Sequence, residues 1–115
     1  FRTYPIGMDT QVFPTTILAD AAEKTSDPQD REHVSLFIYR HPELYKLRNI
    51  GGPPELTRPK LRLTLDTPED LELLRRIFET LYPTNSTFTL SEILALIDES
   101  PDLAEINANV QHQYV

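Results

Sequence analysis

The sequence predicts an α/β protein in which a few strands are flanked by several helices. The clearest observation is the alternation of apolar and polar residues in Leu61–Leu65, which is typical of a half-buried strand. It leads directly into Asp66-Thr67-Pro68-Glu69-Asp70, where Thr67 as N-cap and Pro68 at the first helical position predict a helix start. A second capping box, Thr89-Leu90-Ser91-Glu92, precedes another apolar helical pattern. Because the strands are too few for a whole sheet, we expect an N-terminal half or a second copy to complete it.

Composition narrows the range of partners. The formal net charge of −7 argues against nucleic acid or an anionic membrane as the main partner, because both require clustered Lys and Arg. The chain contains no cysteine, which excludes disulfides and thiolate chemistry and is compatible with the cytoplasm. No apolar run approaches the ~18 residues of a membrane span. The 115 residues are expected to form a single domain, or part of one, taken from a longer protein.

The N-terminal part is predicted to contain one strand and two helices. Met8–Phe13 is a candidate strand, and Pro14 starts a helix with apolar residues at helical spacing. Asp27 as N-cap and Pro28 at the first position favour a second helix, running to about residue 40 with Val34 facing inward. The run 34–39 also suits a strand, but the cap signals favour the helix.

The chain after residue 44 is predicted to contain a strand, a loop and further helices. Tyr45–Ile50 is a further candidate strand, and residues 51–60, which begin Gly-Gly-Pro-Pro, are predicted to be a flexible loop. The helix after Thr67 is expected to bury an apolar stripe composed of Leu71, Leu74, Phe78 and Leu81, with Ile77 alongside. Ser100-Pro101 begins a last short helix, and the tail 111–115 is expected to fray.

Asp66 is the best candidate for chemistry. A carboxylate at the end of a strand and in front of a helix lies where open α/β sheets bind their ligands. Such a hard oxygen ligand suits Mg²⁺, which takes one or two carboxylates together with substrate phosphates. The alternative is that Asp66 only caps the entry to the helix.

Two further groups are candidates for binding a polyhydroxylated ligand. Asp9 and Gln11 would point to one face of a strand, or else lie on an exposed strand edge. Arg31, Glu32 and His33 could orient a sugar carboxylate, or else form ordinary helix surface charge. Catalytic residues remain unknown, because the sequence contains neither an assembled nucleophile–histidine–acid set nor a glycine-rich phosphate loop.

Several short motifs follow one another in a distinctive order. They are Arg2-Thr3-Tyr4-Pro5, Gly7-Met8-Asp9 with Val12-Phe13, Arg31-Glu32-His33-Val34, His41-Pro42-Glu43, Leu63-Thr64-Leu65-Asp66-Thr67-Pro68-Glu69-Asp70-Leu71 and Ile106-Asn107. This order resembles the C-terminal half of the spore coat polysaccharide biosynthesis protein F family. Those proteins are cytidylyltransferase-like and similar to the 3-deoxy-manno-octulosonate and acylneuraminate cytidylyltransferases.

The resemblance implies a nucleotide-diphospho-sugar transferase fold, a three-layer α/β/α sandwich. It implies a reaction in which CTP and a sugar acid give a CMP-sugar and pyrophosphate, with Mg²⁺ as cofactor. Asp66 matches the metal-binding aspartate of the Asp-Thr-Pro-Glu-Asp motif. Asp9 and Gln11 match a strand near the sugar, although relatives carry Glu where Gln11 stands, which makes a metal role there unexpected. The block from Arg31 to Val34 matches a helix near the sugar pocket and the dimer contact.

In the family the nucleotide-binding loop and another acidic metal ligand come from the N-terminal half. We therefore expect this chain to be inactive alone and to form a homodimer, with exchange of elements between copies as one form of it. Two other functions remain open. The chain could be a non-catalytic assembly module whose helices after Thr67 and Thr89 bury a partner, or part of a glycosyltransferase that consumes a nucleotide sugar.

Overall fold

The structure is a computed structural model that describes residues 1–110, so the tail predicted to fray lies outside the described residues. Helices dominate this part of the chain. They are α1 (Thr15–Lys24), α2 (Pro28–Glu32), α3 (Leu36–Arg40), α4 (Pro68–Leu81), α5 (Leu90–Glu99) and α6 (Asp102–Glu105), with a 3₁₀ turn at Pro54–Leu56. None of the helices within these residues is long and apolar enough to cross a membrane.

The β structure of residues 1–110 is limited to a parallel bridge between Ile6 and Arg62. The amide of Ile6 donates to the carbonyl of Leu61 at 2.8 Å, and the amide of Leu63 donates to the carbonyl of Ile6 at 2.7 Å. The predicted strand at 61–65 is thus present only as this bridge. The predicted strands at 8–13 and 45–50 are wrong, because an extended segment becomes a strand only beside a neighbour that pairs its backbone groups. The α/β prediction is confirmed in part, for a mostly helical chain.

Gly7 fixes the end of this bridge. Its φ is +100°, and a Cβ built on it would lie 2.8 Å from the backbone nitrogen of Thr64. Only glycine tolerates both the backbone conformation and the close approach. The N-terminal segment can therefore turn away directly after Ile6.

The chain forms two compact units, of which the first comprises Phe1–Asp9 and, among the described residues, 51–110. Its core contains residues from the bridge, α4, α5 and α6, namely Leu63, Leu73, Ile77, Ile93, Ile97 and Leu103. The loop 51–60 is tied to the N-terminal segment, because the amide of Gly52 donates to Oγ1 of Thr3 at 2.8 Å. The amide of Arg58 donates to the backbone carbonyl of Thr3 at 2.9 Å.

Helix α4 begins as predicted, but a different face of it is buried. Thr67 and Asp70 form a complete capping box, which confirms the predicted start. Leu71 and Phe78, which were expected to face the core, are 46% and 52% exposed, whereas Asp70 is fully buried. Asp70 centres the buried face, and the residues three, four and seven positions later turn inward with it. The expected stripe is therefore wrong at both exposed positions.

The second unit, Thr10–Ile50, has its own small core. Ala21, Ile38 and Tyr45 are buried there and pack against Phe13, Ile17 and Phe37. The predicted helix over 28–40 is present as the separate helices α2 and α3, interrupted at residues 33–35. Val34 was expected to face inward but is 62% exposed. A β-branched residue followed by Ser is a weak helix former, which favours the break at this place.

Candidate functional site

Asp66 lies between the bridge residue Arg62 and the start of α4. Its carboxylate is 62% exposed, and Oδ2 accepts a hydrogen bond from Nη2 of Arg62 at 3.1 Å. Its other oxygen, Oδ1, accepts no hydrogen bond from residues 1–110. The cap of α4 is Thr67, whose Oγ1 accepts from the amide of Asp70 at 3.2 Å. The capping role considered for the Asp66 side chain is therefore wrong, and its carboxylate remains available to a ligand.

The centre of this region is the fully buried carboxylate of Asp70. Its Oδ1 accepts from Nε of Arg62 and Nδ2 of Asn107, both at 2.8 Å. Its Oδ2 accepts from Nη2 of Arg62 at 2.9 Å and from the amides of Asp66 at 2.9 Å and Thr67 at 3.2 Å. The bonds from Arg62, followed by those from Asn107 and the backbone, hold the pKa of Asp70 well below its ordinary value and outweigh the opposing effect of burial. Asp70 is therefore ionised in the folded chain.

Arg62 is the residue that sequence reasoning missed. The alternating pattern places it among the polar residues of a half-buried strand, yet its side chain is only 5% exposed. The guanidinium bonds both oxygens of Asp70 and one oxygen of Asp66. The signal that could have found it is a carboxylate at the third helical position, within the apolar face of α4, because a buried carboxylate requires a cation.

Asn107 completes the cluster from the end of α6. Its Nδ2 donates to the carbonyl of Arg62 at 3.1 Å as well as to Asp70. Both partners are acceptors, which fixes the orientation of the amide. Its own Oδ1 is buried and accepts no hydrogen bond from residues 1–110. The cluster therefore contains one unsatisfied acceptor, a defect that ordinarily costs about 1–3 kcal/mol.

The other predicted ligand residues lie outside this cluster. Asp9 is in the first unit, where its Oδ1 accepts from Nη1 of Arg2 at 2.5 Å. Gln11 is in the second unit, where its Oε1 accepts from the hydroxyl of Ser35. The expectation that Asp9 and Gln11 share the face of a strand is wrong, because no strand forms there. A role for either residue in binding sugar stays a prediction.

Arg31, Glu32 and His33 follow one another at the end of α2. Nη2 of Arg31 donates to the carbonyls of Ala22 at 2.8 Å and Thr25 at 3.0 Å, and so binds carbonyls at the end of α1. Glu32 is exposed, and His33 is half-buried as the C-cap of α2. The structure thus gives Arg31 a structural role, while a sugar-binding role for the three residues stays a prediction.

The predicted metal role of Asp66 stays a prediction. Within residues 1–110 no group of three His, Asp or Glu side chains could hold a metal ion. A single carboxylate nevertheless fits Mg²⁺, because this ion commonly takes one or two protein carboxylates and fills its octahedron with phosphate oxygens and water. Asp66 would supply such a site with one hard donor, Oδ1.

Comparisons with known proteins show that the chain is similar to two curated proteins, one of which is named for polysaccharide biosynthesis. The chain is 31% identical over 101 residues to the spore coat polysaccharide biosynthesis protein SpsF of Bacillus subtilis (strain 168), which covers 87% of this chain and 42% of that protein. This match confirms the resemblance found in the motifs.

The chain is also 30% identical over 111 residues to the uncharacterized protein MJ1063 of Methanocaldococcus jannaschii, covering 94% of this chain and 44% of that protein. It therefore spans less than half the length of these curated relatives. No family model matches the chain, and no solved structure matches it.

Proposed function

We propose that this chain is the sugar-side and dimerisation part of a cytidylyltransferase-like protein of surface polysaccharide biosynthesis. In this proposal the parent protein transfers CMP from CTP to a sugar acid in the cytoplasm and releases pyrophosphate. The proposal is supported by the match to SpsF and by the geometry of Asp66, which lies in the Asp-Thr-Pro-Glu-Asp motif. The observation that carries it is the exposed carboxylate of Asp66, whose Oδ2 accepts from Arg62 while its Oδ1 accepts from none of residues 1–110.

Bound Mg²⁺ would screen the charge of the triphosphate at this position. Asp66 would supply one oxygen ligand, while Asp70 holds the backbone amide of Asp66 and so fixes where the carboxylate stands. The sugar-binding roles predicted for Asp9, Gln11, Arg31, Glu32 and His33 rest on the resemblance alone. The chain contains no glycine-rich phosphate loop, so the proposal assigns the nucleotide cradle to another part of the parent protein.

The metal role can be tested by titrating the labelled chain with Mn²⁺, a paramagnetic substitute for Mg²⁺. We expect NMR line broadening of the amides of Asp66 and Thr67, and its loss in Asp66→Asn. Asp98→Asn is the matched control, because Asp98 is 61% exposed and also pairs with an arginine, at 3.1 Å. Equal broadening in both variants would refute the metal site.

Incompleteness of the chain is tested separately. We expect no pyrophosphate release from CTP and candidate sugar acids by the 115-residue chain. Clear turnover would overturn the assignment of the nucleotide cradle to another part of the protein, but it would leave the role of Asp66 intact.

A second candidate function is a non-catalytic assembly module, which one specific observation favours. Leu71, Phe78 and Tyr82 are each about half exposed on one side of α4, at 46%, 52% and 54%. The ring of Phe78 also contacts that of Phe88 edge-to-face, with centroids 5.0 Å apart. An apolar surface of this kind suits a second copy of the chain. Light scattering should report a dimer that Phe78→Ser weakens, and a monomer at working concentration would refute self-association.

A further inference from the structure

A cavity of about 460 Å³ lies within the second unit, and none of the residues of the Asp70 cluster lines it. Most of its wall is apolar, with side chains that include Phe13, Ile17, Ile38, Leu47 and Ile50. Sites for small ligands commonly have volumes of about 300–1,000 Å³, a mostly apolar wall and a few polar groups that orient the ligand. The cavity therefore has the size and the lining of a ligand site.

The charged side chains of this cavity are cations. Lys46 and Arg48 line it, and neither forms an ion pair or a hydrogen bond with residues 1–110. No Asp or Glu is found among the described lining residues, although the whole chain has 18 acidic and 11 basic side chains. A cleft lined by charge of one sign concentrates ions of the opposite sign. The cavity is therefore complementary to an anion.

Gln11 adds a further donor to the lining. The hydroxyl of Ser35 donates to its Oε1, and both residues line the cavity. The amide nitrogen Nε2 of Gln11 then keeps two N–H groups that find no acceptor among residues 1–110. An ammonium, a guanidinium and an amide NH₂ group together suit the oxygens of a carboxylate or a phosphate.

We propose that this cavity binds a small amphipathic anion, whose apolar body packs against Phe13, Ile17 and Ile38 and whose carboxylate or phosphate group binds Lys46 and Arg48. A sugar acid fits this wall poorly, because its hydroxyl groups would exchange water for apolar side chains. An anionic membrane surface is repelled by the net charge of −7. The occupant is therefore a dissolved molecule with an apolar body. This inference depends neither on the metal role of Asp66 nor on the transfer of CMP.

Titration of the labelled 115-residue chain with decanoate, followed by NMR, tests the site. We expect the amides of Phe13, Lys46 and Leu47 to shift, while those of α5 stay in place. Octanoate should bind about tenfold more weakly, because it buries two fewer methylene groups. Decyl phosphate should shift the same amides, whereas inorganic phosphate and N-acetylneuraminate at equal concentration should not. The absence of decanoate shifts at these amides, or equal affinity for N-acetylneuraminate, would overturn the proposal.

The role of the two cations is tested by the double variant Lys46→Gln with Arg48→Gln. Both side chains are exposed, and we expect the affinity for decanoate to fall about tenfold, as the loss of two partly exposed ion pairs gives. Arg40→Gln is the matched control, because Arg40 is an exposed cation of the same unit that does not line the cavity. Equal affinities for the double variant and the control would overturn the assignment of the anion to Lys46 and Arg48.

Two measurements on the unmodified chain keep the test decisive if the double variant does not fold. Octanol has the apolar body of octanoate without its charge, so it should bind about tenfold more weakly, and equal binding would contradict an anion site. Co-sedimentation with phosphatidylglycerol vesicles should show no binding. Recruitment to the vesicles without any binding of decanoate would assign the cavity to a membrane surface and overturn the proposal.

Discussion

Replacing Asp70 by Asn tests whether the buried ion pair holds the first unit together. The substitution keeps the size of the side chain but removes the charge that faces Arg62, whose side chain is 5% exposed. Breaking a buried pair by removing one partner typically costs about 3–5 kcal/mol. Asp66 still bonds Nη2 of Arg62 from the exposed side, and an exposed pair offsets at most about 1 kcal/mol. We therefore expect a loss of about 3 kcal/mol in the free energy of unfolding.

Urea denaturation followed by circular dichroism measures this loss. With a slope of about 1–3 kcal/mol per molar urea, the midpoint should fall by about 1–3 M. Asp98→Asn removes one partner of an exposed pair and should cost less than about 1 kcal/mol. Equal midpoints for Asp70→Asn and the unmodified chain would refute the stabilising role of the pair.

The double variant Arg62→Met with Asp70→Leu separates the net contribution of the ion pair from the cost of leaving one buried charge unpaired. Replacing both partners by apolar side chains is often neutral, because neither leaves a buried charge behind. The double variant should therefore be more stable than Asp70→Asn alone. The opposite order would mean that Asp70 stabilises the chain mainly through its backbone bonds at the start of α4.

Two further predictions concern titration and a single hydroxyl. Because Arg62 holds the pKa of Asp70 below its ordinary value of 3.8, the unfolded chain binds this proton first as the pH falls. The contribution of Asp70 to the free energy of unfolding is fully present above about pH 5 and is lost as the pH drops through the acid range below about 4. Urea midpoints measured from pH 7 to pH 2 should show this decline. The variant Asp70→Asn should lack this part of it. In the second unit, Tyr45 donates to Oδ2 of Asp20 at 2.8 Å. Tyr45→Phe should cost about 1 kcal/mol by the same denaturation assay, whereas Tyr82→Phe, at a tyrosine 54% exposed, should cost close to nothing.

The sequence predicted those features whose causes are local. The start of α4 depends on Thr67, Pro68 and Asp70, which lie within four positions, and the structure has the predicted capping box. The entry of α2 is similar, because the side chain of Asp27 accepts from the amide of Gln29 as an N-cap does. Short-range hydrogen bonds of this kind are encoded in neighbouring residues, so pattern reasoning finds them.

The features that were missed depend on residues far apart in sequence. The carbonyl of Arg62 accepts from Nδ2 of Asn107, 45 positions later, and no local pattern connects the two. The segments 8–13 and 45–50 have the composition of strands, but a strand also requires a neighbour in space, and they have none among the described residues. Asp66 was found as a candidate ligand from its motif, whereas Arg62, whose guanidinium bonds one of its oxygens, was not.

The cluster around Asp70 also sets an order of events during synthesis of the chain. Arg62 and Asp70 are separated by eight positions and can meet soon after they are made, but the Nδ2 donor of Asn107 follows Asp70 by 37. Until then the carboxylate lacks one of its bonds, and the carbonyl of Arg62 has not received the donor that holds it. The helix α4 can therefore form early, while the complete set of bonds around Asp70 has to await the turn after α6.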